Sequence, residues 1–283
     1  MTNGGQRVKC GTAADMPRAW KGRAVTLVLQ TIRHETVAIA TGPPSRGRML
    51  SRHRPNASAG ARPVDRTPPD VNTDLSVAVA IDATAREWEA SPSSTVWRKS
   101  FYRKGGEKGP VTSMVRYDAH SSFARHEHPE GEEILVLDGV FSDEYGDYPA
   151  GSFLLNPPGF AHSPRSEPGC TLFVHLRQYG GPGRPHIALD TGSIPWRPTQ
   201  RTGIARRDLY GERAFAESIR LEQWAPGTAA IIDAAAVIVE IFVLSGALTS
   251  PLGVHETGSW IRAPGLELGT PDGCTLYVRT TKR

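Results

Sequence analysis

Short apolar runs separated by turn residues dominate the chain between residues 100 and 180. The clearest run is 134–137, Ile-Leu-Val-Leu, which is typical of a strand covered on both faces. Residues 152–155 and 170–174 have the same character, and the polar stretch 143–147 predicts a turn. No convincing amphipathic helix is evident in this region. Short strands joined by Gly and Pro turns predict an all-β sandwich or barrel.

The same pattern occurs twice along the chain. Residues 133–139 read E-I-L-V-L-D-G and return at 240–246 as E-I-F-V-L-S-G. Residues 169–177 read G-C-T-L-F-V-H-L-R and return at 273–281 as G-C-T-L-Y-V-R-T-T. The offset is 107 residues for the first pair and 104 for the second. A repeat of this size predicts two similar barrels, because the repeats of a solenoid are much shorter.

Candidate metal ligands lie between these apolar runs. His126 and His128 are two residues apart, so both would point to one face of a strand. Glu132 follows a glycine, and His162 follows the rigid sequence Pro-Pro-Gly with two residues between. Three imidazoles and one carboxylate suit Zn, Fe(II), Mn, Ni or Co, with open coordination positions. The alternatives are a surface histidine pair without metal, and a site in which Glu133 replaces Glu132.

These residues resemble the two conserved motifs of the cupin superfamily. The stretch from His126 to Gly139 matches G-x5-H-x-H-x3-E-x6-G, except that His120 stands where the motif has its first glycine. The words E-E-I-L-V-L-D-G and N-P-P-G-F-A-H resemble more narrowly the cupin domain of ChrR-type anti-sigma factors. The resemblance covers about residues 72–283. It implies a double-stranded β-helix, or jelly roll, in which His126, His128, Glu132 and His162 bind one divalent metal ion, Zn or Fe(II), with Mn or Ni as alternatives.

The second half of the repeat lacks these ligands. With the offset of 107, His126 corresponds to Asp233, His128 to Ala235 and Glu132 to Val239. The loop that would carry the counterpart of His162 reads P-G-L-E-L-G-T, and His255 lies outside the register. Glu133 recurs as Glu240, which favours a structural role for that carboxylate. We therefore predict a bicupin with one metal-binding barrel and one degenerate barrel.

Charge divides the chain at about residue 70. Residues 1–70 hold twelve Lys and Arg against four Asp and Glu, whereas residues 71–283 hold twenty-one against twenty-five. We predict a basic, disordered extension over 1–71, a metal-binding cupin domain over 72–185 and a degenerate cupin domain over 186–283. Because the cupin-like pattern begins near Val71, the alternative is that Val71 is the natural start and the preceding residues are translated upstream sequence. N-terminal sequencing of the native protein would decide between these two hypotheses.

Composition limits the location and the partners. No run of eighteen apolar residues is present, which predicts no membrane span, and the N-terminus lacks a secretory pattern. The sequence contains three cysteines, of which Cys170 and Cys274 occupy equivalent positions of the repeat, so we expect buried thiols and a cytoplasmic protein. We expect a small-molecule ligand. Because cupins often form dimers, the resemblance also implies a homodimer. Nucleic acid would be contacted only by the basic extension.

Function stays open between three hypotheses. The site predicts a non-haem metal enzyme of the dioxygenase type, and cupins similar to this one cleave diketones or hydroxyketones. A ChrR-like sensor is the second hypothesis, although residues 1–75 hold one cysteine and no H-x3-C-x2-C zinc element, so no sigma-factor partner is expected. The third is a non-catalytic binder. Four further residues are candidates near the site. Tyr117 and Arg125 are candidates for the barrel lining, although the repeat partner of Tyr117, Trp224, favours a packing role. We predict His175 to be exposed or interdomain and His120 to be a loop residue.

Overall fold

Strands make up nearly all the regular structure of this computed structural model, which describes residues 68–232 and 237–282. Two 3₁₀ turns, Gly106–Lys108 and Thr191–Ser193, are the only helical elements in those ranges. The predicted all-β class is therefore confirmed. Apart from its last four residues, the basic extension predicted over 1–71 lies outside the described residues, as do Asp233 and Ala235. No helix in the described ranges is long and apolar enough to cross a membrane.

The first half of the sequence contributes twelve strands and the second half ten. Those of the first half are β1 Val79–Asp82, β2 Glu89–Ala90, β3 Val96–Arg103, β4 Val111–Tyr117, β5 Ser121–Ser122, β6 His126–His128, β7 Glu132–Ser142, β8 Asp147–Pro149, β9 Ser152–Asn156, β10 Phe160–His162, β11 Arg165–Ser166 and β12 Cys170–Leu176. Those of the second half are β13 Ile187–Asp190, β14 Arg197–Pro198, β15 Ile204–Gly211, β16 Glu217–Trp224, β17 Thr228–Ile232, β18 Val237–Ser250, β19 Gly253–Glu256, β20 Ser259–Ala263, β21 Leu266–Thr270 and β22 Cys274–Lys282.

Two large antiparallel sheets organise these strands. The first has the order β13-β9-β7-β12-β4-β3-β2, and the second has the order β1-β20-β18-β22-β16-β15-β14. Short strand pairs close each half opposite its large sheet: β6 with β10 and β5 with β11 in the first half, and β17 with β21 in the second. Each half is thus a jelly roll, and the two halves have the same strand order.

Three apolar cores follow from the alternation of side chains along the strands. Ile134 and Val136 of β7 face the interior of the first barrel, whereas Leu135 between them faces the second barrel. This arrangement explains the continuous apolar run at 134–137, because both faces of the strand are covered. The core between the barrels is rich in aromatic rings, among which Phe173 and Phe242 stack with centroids 4.7 Å apart. The interior of the second barrel is filled by aliphatic side chains and Trp224.

Each half of the sequence contributes one strand to the large sheet of the other half. Strand β1 pairs with β20 in the second large sheet, with Val79 opposite Arg262 and Asp82 opposite Ser259. Strand β13 pairs with β9 in the first large sheet, with Ile187 opposite Leu155. The exchange is symmetric, because β9 and β20 are related by the repeat offset of 107. The pairing therefore crosses the domain boundary predicted at residue 185, and that boundary itself stays a prediction.

A buried polar network lies between the two large sheets. The hydroxyls of Tyr179 and Tyr277 both donate to the carboxylate of Glu133. On the other barrel Glu240 contacts His175 at 3.3 Å and accepts from Arg279 at 2.9 Å. Glu133 and Glu240 are repeat partners, and so are His175 and Arg279. Burial opposes ionisation of Glu240, but the neighbouring His175 and Arg279 outweigh it and lower its pKa to about 2.

The repeat also preserves one close backbone approach. Gly139 has a φ of 73°, and a Cβ there would lie 2.0 Å from the carbonyl oxygen of Gly169. Gly246 has a φ of 77°, and a Cβ there would lie 2.3 Å from the carbonyl oxygen of Gly273. Only glycine fits either position, so these residues recur for reasons of backbone geometry.

Candidate metal centre

The three predicted histidines meet at one ladder of two short strands. In the antiparallel pair β6–β10, His126 lies directly opposite His162, and His128 lies opposite Phe160. His126 and His128 are two residues apart and share a face. A tight turn fixes the ladder, since the backbone N–H of Gly159 donates to the carbonyl of His128 at 2.9 Å. The Pro-Pro-Gly sequence thus places His162, as predicted.

The distances between donor atoms suit a single ion. One potential ligand atom from each histidine lies within 4.8 Å of the others. The Nε2 atoms of His128 and His162 are 3.1 Å apart, and Oε2 of Glu132 lies 3.4 Å from the first and 3.5 Å from the second. Ligands at about 2.0–2.2 Å from a common ion, at roughly tetrahedral or octahedral angles, are separated by about 3.0–3.5 Å.

Neighbouring groups leave the correct ring nitrogens available. Nδ1 of His126 contacts the carbonyl oxygen of Ala124 at 2.9 Å, and Nδ1 of His162 contacts Oδ2 of Asp143 at 3.1 Å. Both Nε2 atoms are therefore free of those partners, and Nε2 of His162 lies 3.1 Å from Nε2 of His128. A histidine that holds its second nitrogen against a carbonyl or a carboxylate is the usual arrangement in metal sites. The residues present thus fit a divalent metal ion.

Glu132 and Glu133 face opposite sides of β7. Glu132 lies beside the histidines and accepts from Nδ2 of Asn156 at 3.0 Å. Glu133 lies in the network between the barrels, where the two tyrosines described above bind it. Gly131 permits the turn before Glu132, since its φ is 74° and a Cβ would lie 2.9 Å from Tyr179. The alternative in which Glu133 faces the histidines does not agree with this geometry.

The pKa values of His128 and His162 are shifted in opposite directions by their surroundings. Burial lowers the pKa of His128, which favours the neutral ring that a metal requires. Burial also acts on His162, but the hydrogen bond to Asp143 and the charge of Glu132 outweigh it and raise its pKa. Burial would raise the pKa of Asp143, yet His162 and the N–H of Tyr145 hold it below the usual range. Asp143 is therefore an ionised partner that orients His162.

Asp143 and Asn156 were missed by the sequence reasoning. Asp143 was read only as part of a turn, and Asn156 only as part of a motif. The repeat contained a usable signal, because the offset of 107 places Ser250 opposite Asp143 and Ala263 opposite Asn156. These supporting residues changed in the second half, as the predicted ligands did.

The remaining candidates lie apart from the cluster or have other partners. His120 is exposed and contacts Glu167 at 2.7 Å, in agreement with a loop residue. Tyr117 lines the first barrel, as predicted. Arg125 does not line it, because its guanidinium turns outward to Glu144 and is 59% exposed. His175 is fully buried between the barrels, which corrects the exposed alternative.

A cavity of about 180 Å³ opens beside the histidine cluster. Arginines, glutamates and the histidines form part of its lining, and its apolar walls come mostly from the inner face of the first large sheet. The side chains that form them include Val96, Val111, Val115, Tyr117, Phe123, Ile134, Phe141, Leu172, Val174 and Leu176. The cluster lies on the opposite wall, so a small molecule in the cavity would face it.

The second barrel has no corresponding cluster in its described residues. Val239, at the position of Glu132, is buried in the apolar interior. Leu266 occupies the position that corresponds to His162, because it lies four residues before Thr270 just as His162 lies four residues before Ser166. Leu266 belongs to the same apolar interior. His255 lies elsewhere, hydrogen-bonded to Ser250 at 2.7 Å. These positions agree with the predicted loss of the metal ligands from the second barrel. Asp233 and Ala235 lie outside the described residues.

Comparison with family models decides the family. The model of the ChrR cupin-like domain matches the chain twice, over residues 76–180 and 184–282. The chain belongs to the ChrR cupin-like family. The predicted bicupin of two jelly-roll domains is confirmed by the two matches and by the two barrels. No curated protein matches the sequence of this cupin.

Solved structures of low identity share the fold of this ChrR-like cupin. A candidate dioxygenase from Nostoc punctiforme is 15% identical, with a TM-score of 0.60 over 73% of this chain and 83% of its own. The bacterial pirin YhhW from Escherichia coli, in complex with nickel(II), is 14% identical, with a TM-score of 0.55 over 73% and 99%. Oxalate decarboxylase from Lactobacillus farciminis, as a formate complex, is 9% identical, with a TM-score of 0.53 over 71% and 85%.

Proposed function

We propose that this cupin binds one divalent metal ion in its first barrel and acts there on a small oxygenated compound, in the manner of a metal-dependent dioxygenase. The ligands would be His126, His128, Glu132 and His162. The observation that carries the proposal is the triangle of Nε2, Nε2 and Oε2 atoms at 3.1–3.5 Å. The nickel complex of the pirin relative and the dioxygenase and decarboxylase descriptions of other relatives support it.

The residues around the site have different roles in the proposed function. Asp143 accepts from Nδ1–H of His162 and keeps its Nε2 turned to the ion, and Asn156 orients Glu132. The apolar walls exclude water from a bound molecule. Burial raises the pKa of Tyr117, so its hydroxyl on the cavity wall stays protonated. A divalent ion with open positions supplies Lewis-acid chemistry toward a chelating oxygen and, as iron(II), dioxygen chemistry.

A sensory role is the second candidate, and the family match favours it. In that role metal or ligand occupancy of the first barrel would be the signal. The H-x3-C-x2-C element of the anti-sigma module is missing from residues 1–75, which hold one cysteine. We therefore place this candidate behind the enzymatic one and propose no sigma-factor partner.

The test combines elemental analysis of protein purified without a metal-affinity tag with oxygen uptake on β-diketones and hydroxyketones. Near-stoichiometric iron with substrate-dependent uptake supports the enzyme. Tightly held zinc without uptake supports the sensor or a non-catalytic binder. His128→Ala and Glu132→Ala should each lose the metal while keeping the β-sheet spectrum of the wild type. Full metal occupancy in both variants would contradict the ligand assignment.

A further inference from the structure

Two arginines, Arg103 and Arg177, line the cavity beside one end of the first large sheet. Arg103, Val111, Leu176 and Glu132 are register partners in one row across β3, β4, β12 and β7. All four side chains line the cavity, and so does Arg177, which follows β12. Because register partners point to the same face of a sheet, the row brings a guanidinium and the predicted ligand Glu132 to one end of the barrel.

Arg103 is a buried charge with few partners. It is 7% exposed, and within the described residues its guanidinium makes one hydrogen bond, to Oγ of Ser100. The nearest carboxylate, Glu89, is 3.9 Å away and 58% exposed. A buried guanidinium costs free energy unless its charge and its donors are matched. The side chain lines the cavity, which could hold the matching group.

Arg177 is placed by a strained backbone. Its φ is 56°, a region that residues other than glycine seldom adopt. Its N–H donates to the carbonyl of Gly131 at 3.0 Å, which ties it to the turn before Glu132. Within residues 68–232 and 237–282 its guanidinium has no hydrogen bond and no ion pair. Strain of this kind persists where the surrounding structure imposes it and is common at binding sites.

The second barrel provides an internal comparison. The row equivalent to the one above runs through Gly211, Ser218, Thr280 and Val239, so glycine stands in the place of Arg103. The position of Arg177 is taken by Thr281, which has no positive φ. Both arginines are thus missing from the barrel that lacks the histidine cluster.

The charged side chains that line the cavity are compatible with a bound anion. Besides Glu132, the acidic side chains at its rim are Glu107 and Glu127. Glu107 is 54% exposed and pairs with a third arginine, Arg98, at 3.8 Å. Glu127 is exposed on β6, on the opposite face from the histidines. Among the arginines that line the cavity, Arg177 has no ion pair with a described carboxylate, and Arg103 has only the exposed Glu89 at 3.9 Å.

We infer that Arg103 and Arg177 bind the carboxylate of a short-chain oxo acid, whose oxo group lies at the histidine cluster. Arginine matches a carboxylate because its donors form a fork. The cavity of about 180 Å³ lies below the roughly 300–1,000 Å³ that is usual for small-molecule sites, which favours a short ligand. The orientation toward the cluster rests on the proposed metal site, whereas carboxylate binding by the arginines does not.

Pyruvate and its uncharged analogue pyruvamide test the inference by isothermal titration calorimetry on the full chain. We expect wild-type protein to bind pyruvate at least tenfold more tightly than pyruvamide. Arg177→Gln should weaken pyruvate binding at least tenfold and leave pyruvamide binding and metal content unchanged. Arg103→Gln should act in the same way if its melting temperature shows that it folds. Arg125→Gln is the matched control, because that arginine does not line the cavity.

The outcomes separate this inference from the proposed function. Equal binding of pyruvate and pyruvamide, no pyruvate binding by wild-type protein, or an unchanged affinity in Arg177→Gln would overturn the carboxylate site. Arginine-dependent pyruvate binding by protein that holds no metal would support the carboxylate site and contradict the metal proposal. Loss of metal in Arg177→Gln would assign this arginine to the metal site and overturn its role as an anion ligand.

Discussion

The two barrels have the same strands but different interiors. Their long strands follow equivalent registers, with the same close approach at Gly139 and at Gly246. The first barrel encloses three histidines, a buried glutamate and a cavity, whereas the second is packed with aliphatic side chains in the corresponding space. The jelly roll therefore does not depend on the polar cluster.

The comparison also separates structural from functional polar residues. Glu133 and Glu240 recur at equivalent positions and both lie in the network between the barrels. Asp143 and Asn156, by contrast, contact His162 and Glu132, and Arg177 lines the first cavity; none of the three has a like residue in the second half. In a duplicated fold, a polar residue found in both copies is explained by the interface. One found in a single copy points to a site.

The largest expected effect comes from giving the first barrel the chemistry of the second. His162→Leu introduces the residue type of Leu266, and we expect metal content to fall from about one equivalent to near zero. The change removes one of the four proposed ligands and also leaves Asp143 without its partner. Elemental analysis measures the loss. The control His120→Ala, at an exposed position, should keep its metal, and retention of metal by His162→Leu would show that His162 is not a ligand.

The shared network should matter next. Glu240→Gln removes the carboxylate that His175 and Arg279 contact, and we expect a loss of about 3–5 kcal/mol in the free energy of unfolding, since one member of a buried pair is left uncompensated. Urea denaturation measures it. Glu256→Gln, an exposed glutamate of the same barrel, is the matched control. Equal stability of the two variants would contradict a structural role for the network.

The same carboxylate predicts a pH dependence. The pKa of Glu240 is lowered from 4.5 to about 2, so its stabilisation is complete above pH 4.5 and is lost as the pH falls toward 2. Relative to Glu240→Gln, wild-type protein should lose on the order of 3 kcal/mol between pH 5 and pH 2. Chemical denaturation of both proteins across this range gives the difference. A constant difference would mean that Glu240 is not selectively ionised in the folded protein.

The smallest effect comes from the reverse exchange. Leu266→His places an imidazole in the apolar interior of the second barrel, where we expect a loss of about 2–3 kcal/mol and no additional metal. The control Leu266→Met should cost less than about 1.5 kcal/mol. A second equivalent of metal in Leu266→His would show that the second barrel still has ligands to offer.

The sequence predicted the local features of the site better than its surroundings. His126 and His128 could be assigned to one face from their spacing, and the turn before His162 follows from its proline and glycine content. Asp143 reaches His162 only through the folding of β7, β8 and β10, so spacing gave no indication of that contact. Arg103 likewise shares a row with Glu132 only through three strand pairings, which no local pattern contains.

The strand exchange was also beyond local reasoning. Strands β1 and β13 have a simple alternation of half-buried and exposed residues, which predicts a strand but not its partner. Their partners lie in the opposite repeat because the two large sheets pack face to face. The repeat predicted two barrels of equal design, and the pairing between them became visible only in three dimensions.

This exchange has a consequence for biosynthesis. Strand β1 emerges from the ribosome long before β20, its neighbour in the second large sheet, and the first large sheet lacks its edge until β13 has been made. The first repeat therefore cannot complete its hydrogen bonding during its own synthesis. The nascent first repeat has an open edge until residue 190 has left the exit tunnel, and β1 stays without its partner until residue 263. The two large sheets can thus close one after the other, the first once β13 is available and the second only after β20 has been made.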